Sequence, residues 1–303
     1  MQAPVALFTY NRPFHTRQTV EALQRNDLAE ETDLVVVSDG PRTPSAAQAV
    51  REVRSYARTI SGFRSVTVVE RPTNLGLAGS IIEGVTAVVR DRGRVIVLED
   101  DLLTSPYFLR FMNAGLELYE RDERVISIHG YMYPMRAPFP ETFFLRGADC
   151  WGWATWGRGW ALFEPDGRKL LAQVRHRRLE REFDLDGAYA YTRMLSDQIR
   201  GRNDSWAIRW HASAFLKGKL SLNPARSLVL NIGIDESGTH CGSSRAFHVD
   251  LADSPVQVDR IEVEECQAAR DLIREFHRKR QRSSLAGRAM SRILRAARRM
   301  ASA

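Results

Sequence analysis

The sequence predicts an α/β fold, a Rossmann-type, mostly parallel twisted sheet flanked by helices and followed by a C-terminal helical tail. Three observations carry this expectation. Short apolar, β-branched runs alternate with segments of helical spacing from Pro4 to Glu120, which is the pattern of right-handed βαβ units. The run Val95-Ile-Val-Leu98 follows Gly93, is too short for a helix, and ends in Glu99, Asp100 and Asp101. The charge is also split along the chain. Of a net +7, the segment from Arg274 to Ala303 holds +9, leaving −2 on the first 273 residues.

Residues 4 to 10 read as a first strand, and Asn11-Arg-Pro13 as a turn whose proline suits the first turn of a helix through Arg25. Asp33 to Asp39 reads as a second strand closing in Ser-Asp-Gly-Pro, Ser45 to Ile60 as a helix, and Val66 to Glu70 as a third strand. Asn74-Leu-Gly-Leu-Ala-Gly-Ser80 leads into a helix reaching Val89, its glycines allowing close approach of a ligand or of the helix, or simply forming a turn. The acidic run ends the fourth strand. A helix from Pro106 to Glu120 and strands at Val125 to His129, Thr142 to Arg146 and Leu220 to Pro224 follow, and residues 168 to 202 read as a charged helical excursion. We expect two parts, a domain over residues 1–260 and a basic tail over 261–303.

The strand ends collect the polar residues. Thr9, Asn11 and Arg12 follow strand one, Asp39 follows strand two, Asn74 follows strand three and Glu99 to Asp101 follow strand four, all at the carboxyl edge where open α/β sheets place ligands. Alternation along a strand puts Glu99 and Asp101 on one side and Asp100 on the other. Three like charges there raise one another's pKa unless a cation compensates, and Mg²⁺ or Mn²⁺ is the natural compensator, keeping substrate phosphates among its ligands. The plainer alternative is a set of solvated loop acids, or a cap for the helix near Ser105-Pro106. Arg12 suits a phosphate, and an acid suits a base or a ribose hydroxyl.

Cys150-Trp-Gly-Trp-Ala-Thr-Trp-Gly-Arg-Gly-Trp160 holds four of six tryptophans, and the interleaved glycines favour a sugar-binding loop around Trp153 over a core role. Asp204 or Ser205 takes the N-cap position of a helix beginning near Trp206, and Asp204 beside two tryptophans is a candidate general base. The Gly-rich loop Asn231 to Gly242 has the look of a lid, with His240 in it a candidate for phosphate or metal.

Three dispersed cysteines argue against a disulfide framework or a zinc site and fit a reducing compartment. Neither a secretory leader nor a membrane-spanning run is expected. Since the basicity sits in the tail, nucleic acid is not an expected partner. From Leu285, apolar residues (Leu285, Met290, Ile293, Leu294) and arginines (Arg288, Arg292, Arg295, Arg299) take opposite arcs of a helix, a basic amphipathic design suited to an anionic membrane surface. The expected location is cytoplasmic, peripheral on the cytoplasmic face of the membrane.

Val-Leu-Glu-Asp-Asp-Leu followed by Ser-Pro-Tyr-Phe, the first strand with Asn-Arg, and the second with Val-Ser-Asp-Gly resemble GT-A fold glycosyltransferases. The likeness is to the N-acetylglucosaminyltransferase I type and to bacterial family-two-like sugar transferases, over roughly residues 4 to 245. The resemblance implies an enzyme transferring a hexosyl or N-acetylhexosaminyl unit from a nucleotide-diphosphate donor, such as a UDP-sugar, to a glycan or lipid-linked glycan acceptor in polysaccharide assembly. It also implies a divalent metal, Mn²⁺ or Mg²⁺, on Asp101, with Glu99 and Asp100 on sugar or ribose, Asp39 on the nucleobase, Arg12 on the diphosphate and the Gly152-Trp153 segment near the donor sugar and acceptor. Asp204, two residues before Trp206, resembles the family's catalytic base, which directly precedes a Trp; here Ser205 intervenes, and Asp197 and Asp235 stay open as alternatives. Two other classes are weighed against this one. A sugar-nucleotide nucleotidyltransferase calls for a glycine-rich loop after strand one, which Thr9-Tyr-Asn-Arg-Pro13 lacks. A non-catalytic membrane-associated binding protein leaves the acid cluster without a purpose.

Overall fold

Apolar alternation along two neighbouring strands divides the interior. In Val5–Thr9 (β1), Val5 and Leu7 face one apolar cluster while Ala6 and Phe8 face another; in Arg94–Glu99 (β4), Ile96 and Leu98 join the first and Val95 and Val97 the second. Both strands are therefore covered on both faces, which is why they read as continuous apolar runs. Each such side chain contributes about 1.5–3 kcal/mol by leaving water. The computed structural model describes residues 1–135, 140–234 and 245–282.

The remaining strands are Asp33–Ser38 (β2), Ser65–Glu70 (β3), Leu102–Thr104 (β5), Val125–His129 (β6), Thr142–Arg146 (β7), Trp153–Trp156 (β8), Leu220–Pro224 (β9) and Val229–Asn231 (β10). The helices are Pro13–Gln24 (α1), Ala47–Ala57 (α2), Gly76–Arg92 (α3), Phe108–Leu118 (α4), Gly157–Trp160 (α5), Gly167–His176 (α6), Glu180–Phe183 (α7), Tyr191–Ile199 (α8), Trp206–Leu216 (α9) and a last one over 267–282 (α10). Eight strands form one sheet in the order β3-β2-β1-β4-β8-β6-β9-β7. The pairs β2–β3, β1–β2, β1–β4 and β6–β9 are parallel, and β8 and β7 run against their neighbours. Six of the eight strands thus point one way, and β1, β2, β4 and β6 bring their carboxyl ends to one edge. The order reverses at β1, the switch point at which such sheets open a crevice.

Pro13 occupies the first turn of α1 as expected. α3 packs close enough on β1 that a Cβ on Gly84 would lie 2.5 Å from the Phe8 ring. The charged excursion is helical and has a core of its own, where α6, α7 and α8 pack on α9 through Leu170, Val174, Phe183, Leu195 and Phe215. The segment after residue 260 also packs on the sheet. The amide of Cys266 donates to Phe144 O at 2.8 Å, and Ala269 of α10 packs with Met132 and Phe143.

The tryptophan-rich stretch departs from expectation. Rather than a glycine-supported loop for sugar, it is β8, a strand inserted between β4 and β6, and Trp153 is 0 % exposed. Its ring lies 5.4–5.8 Å from those of Trp160, Trp206 and Trp210. The neighbouring glycines serve packing: a Cβ on Gly159 would sit 2.5 Å from Thr155 Oγ1 and 2.7 Å from Ile126 O. Flanking glycines suit a tryptophan platform at a surface, yet closely packed strands need glycine for the same steric reason. No helix among the described residues is long and apolar enough to cross a membrane. The amphipathic segment from Leu285 lies outside the described residues.

Candidate active site

The carboxyl edge around β1 is built in two halves. In the first, the backbone amide of Asp39 donates to Thr9 O at 3.0 Å, which ties the end of β2 to the end of β1. The Asp39 carboxylate accepts from the amides of Gly40 (3.0 Å), Leu75 (2.9 Å) and Gly76 (3.0 Å). Asn74 closes the loop, its Nδ2 donating to Gly40 O at 2.8 Å and its Oδ1 accepting from Gly76 N at 3.1 Å. An acid at the first amides of α3 is stabilised there by the helix dipole. Glycine at 76 is required by its φ of +71°, and a Cβ on Gly40 would meet the Thr73 backbone at 2.6 Å. Asp39 and Asn74 thus shape a rim, and the buried Thr9 anchors it from below.

In the second half, Arg12 reaches across from the N-cap position of α1 and pairs with both Asp100 and Asp101, the latter at 2.8 Å. Asp100 also accepts from the amide of Tyr10 at 3.4 Å. β4 ends at Glu99, so the strict alternation expected for the three acids does not apply beyond it; the chain turns, and one guanidinium gathers Asp100 and Asp101 together. The acids are not the cap of α4, which begins only at Phe108. Burial, then the neighbouring charges of Asp101 and Asp100, push Glu99 up to about 8, opposed by Arg12. Burial likewise pushes Asp100 up to about 6, against the pull of Arg12. For Arg12 itself burial works against the charged form, but the two carboxylates outweigh it and hold the guanidinium above its ordinary range. Arg12 Nη1 is buried with no hydrogen-bond partner among the described residues.

β5 leads away from the acids, and β10, antiparallel to it, brings the chain back over them. The amide of Ile232 donates to Asp101 O at 2.9 Å. A Cβ on Gly233 would fall 2.0 Å from Asp101 Oδ2 and 2.9 Å from Arg12 Nη1, so only glycine fits between the backbone and this ion pair.

Ser205, not Asp204, caps α9, its hydroxyl accepting from Ile208 N at 3.2 Å. Asp204 is left with a side chain 63 % exposed and one long pair to Arg209 at 3.9 Å. Its Oδ2 lies 3.5 Å from where a Cβ on Gly76 would be, which places it beside the Asp39 rim. Asp197 is turned to Arg202 at 3.0 Å and to Arg193 at 3.7 Å. Asn11 is partly exposed at the end of β1. Asp235 and His240 lie outside the described residues.

The structure therefore brings together Thr9, Arg12, Asp39, Asn74, Glu99, Asp100, Asp101 and Asp204, and separates Trp153 from them into the core. Sequence reasoning missed three residues of this edge. Gly233 carried no signal beyond being one glycine among several. His129 stood at the carboxyl end of a strand parallel to β4, and that topology would have put it on the same edge. Asp149 lay just outside the tryptophan run; its Oδ2 comes within 3.7 Å of His129 Nε2, and the Cys150 thiol beside it is pushed well above its ordinary value, chiefly by burial.

A divalent ion is compatible with this donor set. All the carboxylate oxygens are hard, and Arg12 already shows that Asp100 and Asp101 draw a cation. Among the described residues no group of three His, Cys, Asp or Glu could enclose an ion. One or two carboxylates, with substrate oxygens completing the shell, is the arrangement open to it.

Residues 5–142, just under half of the chain, match the model of glycosyl transferase family 2. No curated protein matches the chain. Among solved structures, TarS residues 1–349 of S. aureus aligns at 16% identity with a TM-score of 0.36, covering 54% of this chain and 48% of that one. The same S. aureus TarS fragment in complex with UDP aligns at 18% identity with a TM-score of 0.33, covering 47% and 39%. The match spans less than half the length of each TarS chain.

Proposed function

We propose, from the match of residues 5–142 to glycosyl transferase family 2, that the chain is a glycosyltransferase of the GT-A type and transfers a hexosyl or N-acetylhexosaminyl unit from a nucleotide-diphosphate donor, a UDP-sugar, to a glycan or lipid-linked glycan with inversion at the anomeric carbon. The observation that carries the reading is the carboxyl edge itself, where Asp100 and Asp101 meet Arg12 and the accessible Asp204 stands beside the Asp39 rim.

The roles follow from the chemistry of each group. The loop that Asp39 and Asn74 hold against the end of β1 receives the nucleobase and ribose, with Thr9 and Asn11 beneath them. Glu99 and Asp100 face donor hydroxyls. Asp101 is the residue to hold Mn²⁺ or Mg²⁺, which when bound neutralises charge on the diphosphate. The free Nη1 of Arg12 is the donor available to a phosphate oxygen. Asp204, open to solvent, takes the proton from the acceptor hydroxyl as its oxygen bonds to the anomeric carbon. The bond from that carbon to the phosphate oxygen breaks, and its electron pair leaves on the nucleoside diphosphate. No covalent enzyme intermediate is needed. His240, outside the described residues, would serve a phosphate oxygen, and the basic segment after residue 282 would hold the enzyme at the anionic cytoplasmic face of the membrane, near a lipid-linked acceptor.

The test is a thermal-shift series with UDP, GDP, dTDP and their sugars, with and without Mn²⁺, followed by release of nucleoside diphosphate on the same protein. A diphosphate at 100 times its Kd stabilises by about 2.7 kcal/mol. A shift with one nucleotide that depends on Mn²⁺ and disappears in Asp101→Ala, in a variant that melts as a folded protein, is the expected outcome. No shift with any nucleotide refutes the donor assignment, and a shift indifferent to metal refutes the role of Asp101.

A further inference from the structure

A pocket lies over one face of the β6–β9–β7 end of the sheet, bounded by His129, Leu145, Ser221 and Asn223 of those strands, the 147–149 loop and helices α7 to α10. Its apolar lining is aromatic, with Tyr131, Tyr133, Phe183 and Tyr191 among the residues around it. Its polar lining has a conspicuous gap. His129 is 3 % exposed, and neither ring nitrogen has a hydrogen-bond partner among the described residues; Asp149 Oδ2 is 3.7 Å from Nε2, beyond hydrogen-bond range. A buried imidazole with both nitrogens unpaired costs free energy that a ligand hydroxyl set against it and Asp149 would recover.

The charges of the wall narrow the ligand class. Arg146 is paired with Glu182, and Arg270 with Asp186 at 2.8 Å, so neither guanidinium is free for an anion. Burial keeps the His129 imidazole below its ordinary value and hence neutral. Asp149 has no Lys or Arg ion pair among the described residues, so an anionic ligand would be repelled. With Glu182 and Glu265 turned to Arg146 and Arg270, aromatic faces, a neutral imidazole and one carboxylate without a Lys or Arg partner among the described residues suit the C–H face and hydroxyls of an uncharged sugar ring.

We propose that this pocket binds a neutral pyranose, the acceptor sugar, with His129 and Asp149 reading its hydroxyls and determining specificity. The proposal rests on the transferase reading for the word acceptor alone, since the pocket's chemistry stands apart from the nucleotide. His129 ends β6 at the edge where Glu99 ends β4, with only β8 between the two strands, so the His129 end of the pocket borders the donor edge.

The test is saturation-transfer NMR on the full chain with methyl glycosides of glucose, galactose, mannose and N-acetylglucosamine, and with methyl glucuronide, while UDP binding is measured on the same samples. At least one neutral glycoside is expected to bind and the glucuronide to fail. His129→Phe should weaken binding tenfold or more and Asp149→Asn several-fold, both with nucleotide affinity intact. Asp149 is 44 % exposed, so Asp149→Asn remains informative if His129→Phe does not fold. Binding of no neutral glycoside, preference for the glucuronide, or indifference to both substitutions overturns the proposal. If UDP binds and the glycosides do not, only the pocket assignment fails; if glycosides bind and no nucleotide does, the transferase reading fails and the pocket stands.

Discussion

Glu99 offers the most direct physical test of the acidic edge. Its carboxyl stands at about 8 in the folded chain, against an ordinary value of 4.5, because burial and two neighbouring aspartates disfavour its charge. A raised carboxyl pKa means that the folded chain holds a proton that the unfolded chain has already released, so stability falls as pH rises from 4.5 through about 8. Integrating the one-proton slope of 1.36 kcal/mol per pH unit from pH 6 to pH 8 gives a loss of about 2 kcal/mol attributable to this residue. The side chain is partly exposed, so that figure is a ceiling. Glu99→Gln carries no such loss. The gap between Glu99→Gln and the parent should therefore widen in favour of the variant by about 1–2 kcal/mol between pH 6 and pH 8, which is several degrees in Tm at about 2–4 °C per kcal/mol. Thermal and urea melts at pH 6, 7 and 8 in EDTA-treated buffer measure it. A gap that is flat with pH, or that turns against the variant at pH 8, would mean that Glu99 is already ionised without penalty and that Arg12 balances the cluster.

The other expectations separate chemistry from folding. Asp204→Ala should abolish transfer with little change in Tm, because the exposed carboxylate makes only a long pair to Arg209, whereas Ser205→Ala should cost about 1 kcal/mol through loss of the α9 cap and keep much of its activity; the reverse pattern in melts and rates sinks the assignment of Asp204. Arg12→Ala leaves two carboxylates facing each other without their cation and should destabilise by about 3 kcal/mol in metal-free urea melts. Trp153→Ala should cost about 3–5 kcal/mol as a core deletion, without a selective effect on sugar binding in folded protein; a stable variant with lost sugar affinity would restore the binding-platform reading. Gly233→Ala should displace the Arg12–Asp101 pair, lower Tm by less than Arg12→Ala does, and lose metal-dependent nucleotide binding, as read by thermal melts and calorimetric titration.

Much of this architecture was legible because the strands buried on both faces write themselves as unbroken apolar runs. Val5 to Phe8 and Val95 to Leu98 could be neither amphipathic helix nor edge strand, and the residues following them had to share one edge once the sheet was parallel. What the sequence could not resolve was decided by contacts between distant segments. The short β5 and β10 exist because each covers the other, and three residues carry too little pattern to announce themselves. The buried tryptophans resembled a binding surface because glycine spacing is the same whether an aromatic ring meets a sugar or another strand. Ser205 and Asp204 were equivalent N-cap candidates by type, and only the hydroxyl reaching Ile208 N separated capping from availability.

The edge also explains why its acids are hard to read singly. An isolated Glu-Asp-Asp after a strand would be three solvated carboxylates, each near its ordinary value. Here the chain turns at Asp100, Tyr10 lends an amide, and Arg12 arrives from the next element, so one cation serves two carboxylates while a third stays protonated near neutrality. The cluster thus carries more potential negative charge than Arg12 can balance, and the surplus appears only when Glu99 ionises. Any cationic ligand that binds the ionised form is favoured more as pH rises towards 8. Nucleotide affinity measured with Mn²⁺ should strengthen between pH 6 and pH 8 in the parent and respond less to pH in Glu99→Gln. Equal pH dependence in the two proteins would place the titrating group elsewhere on the edge.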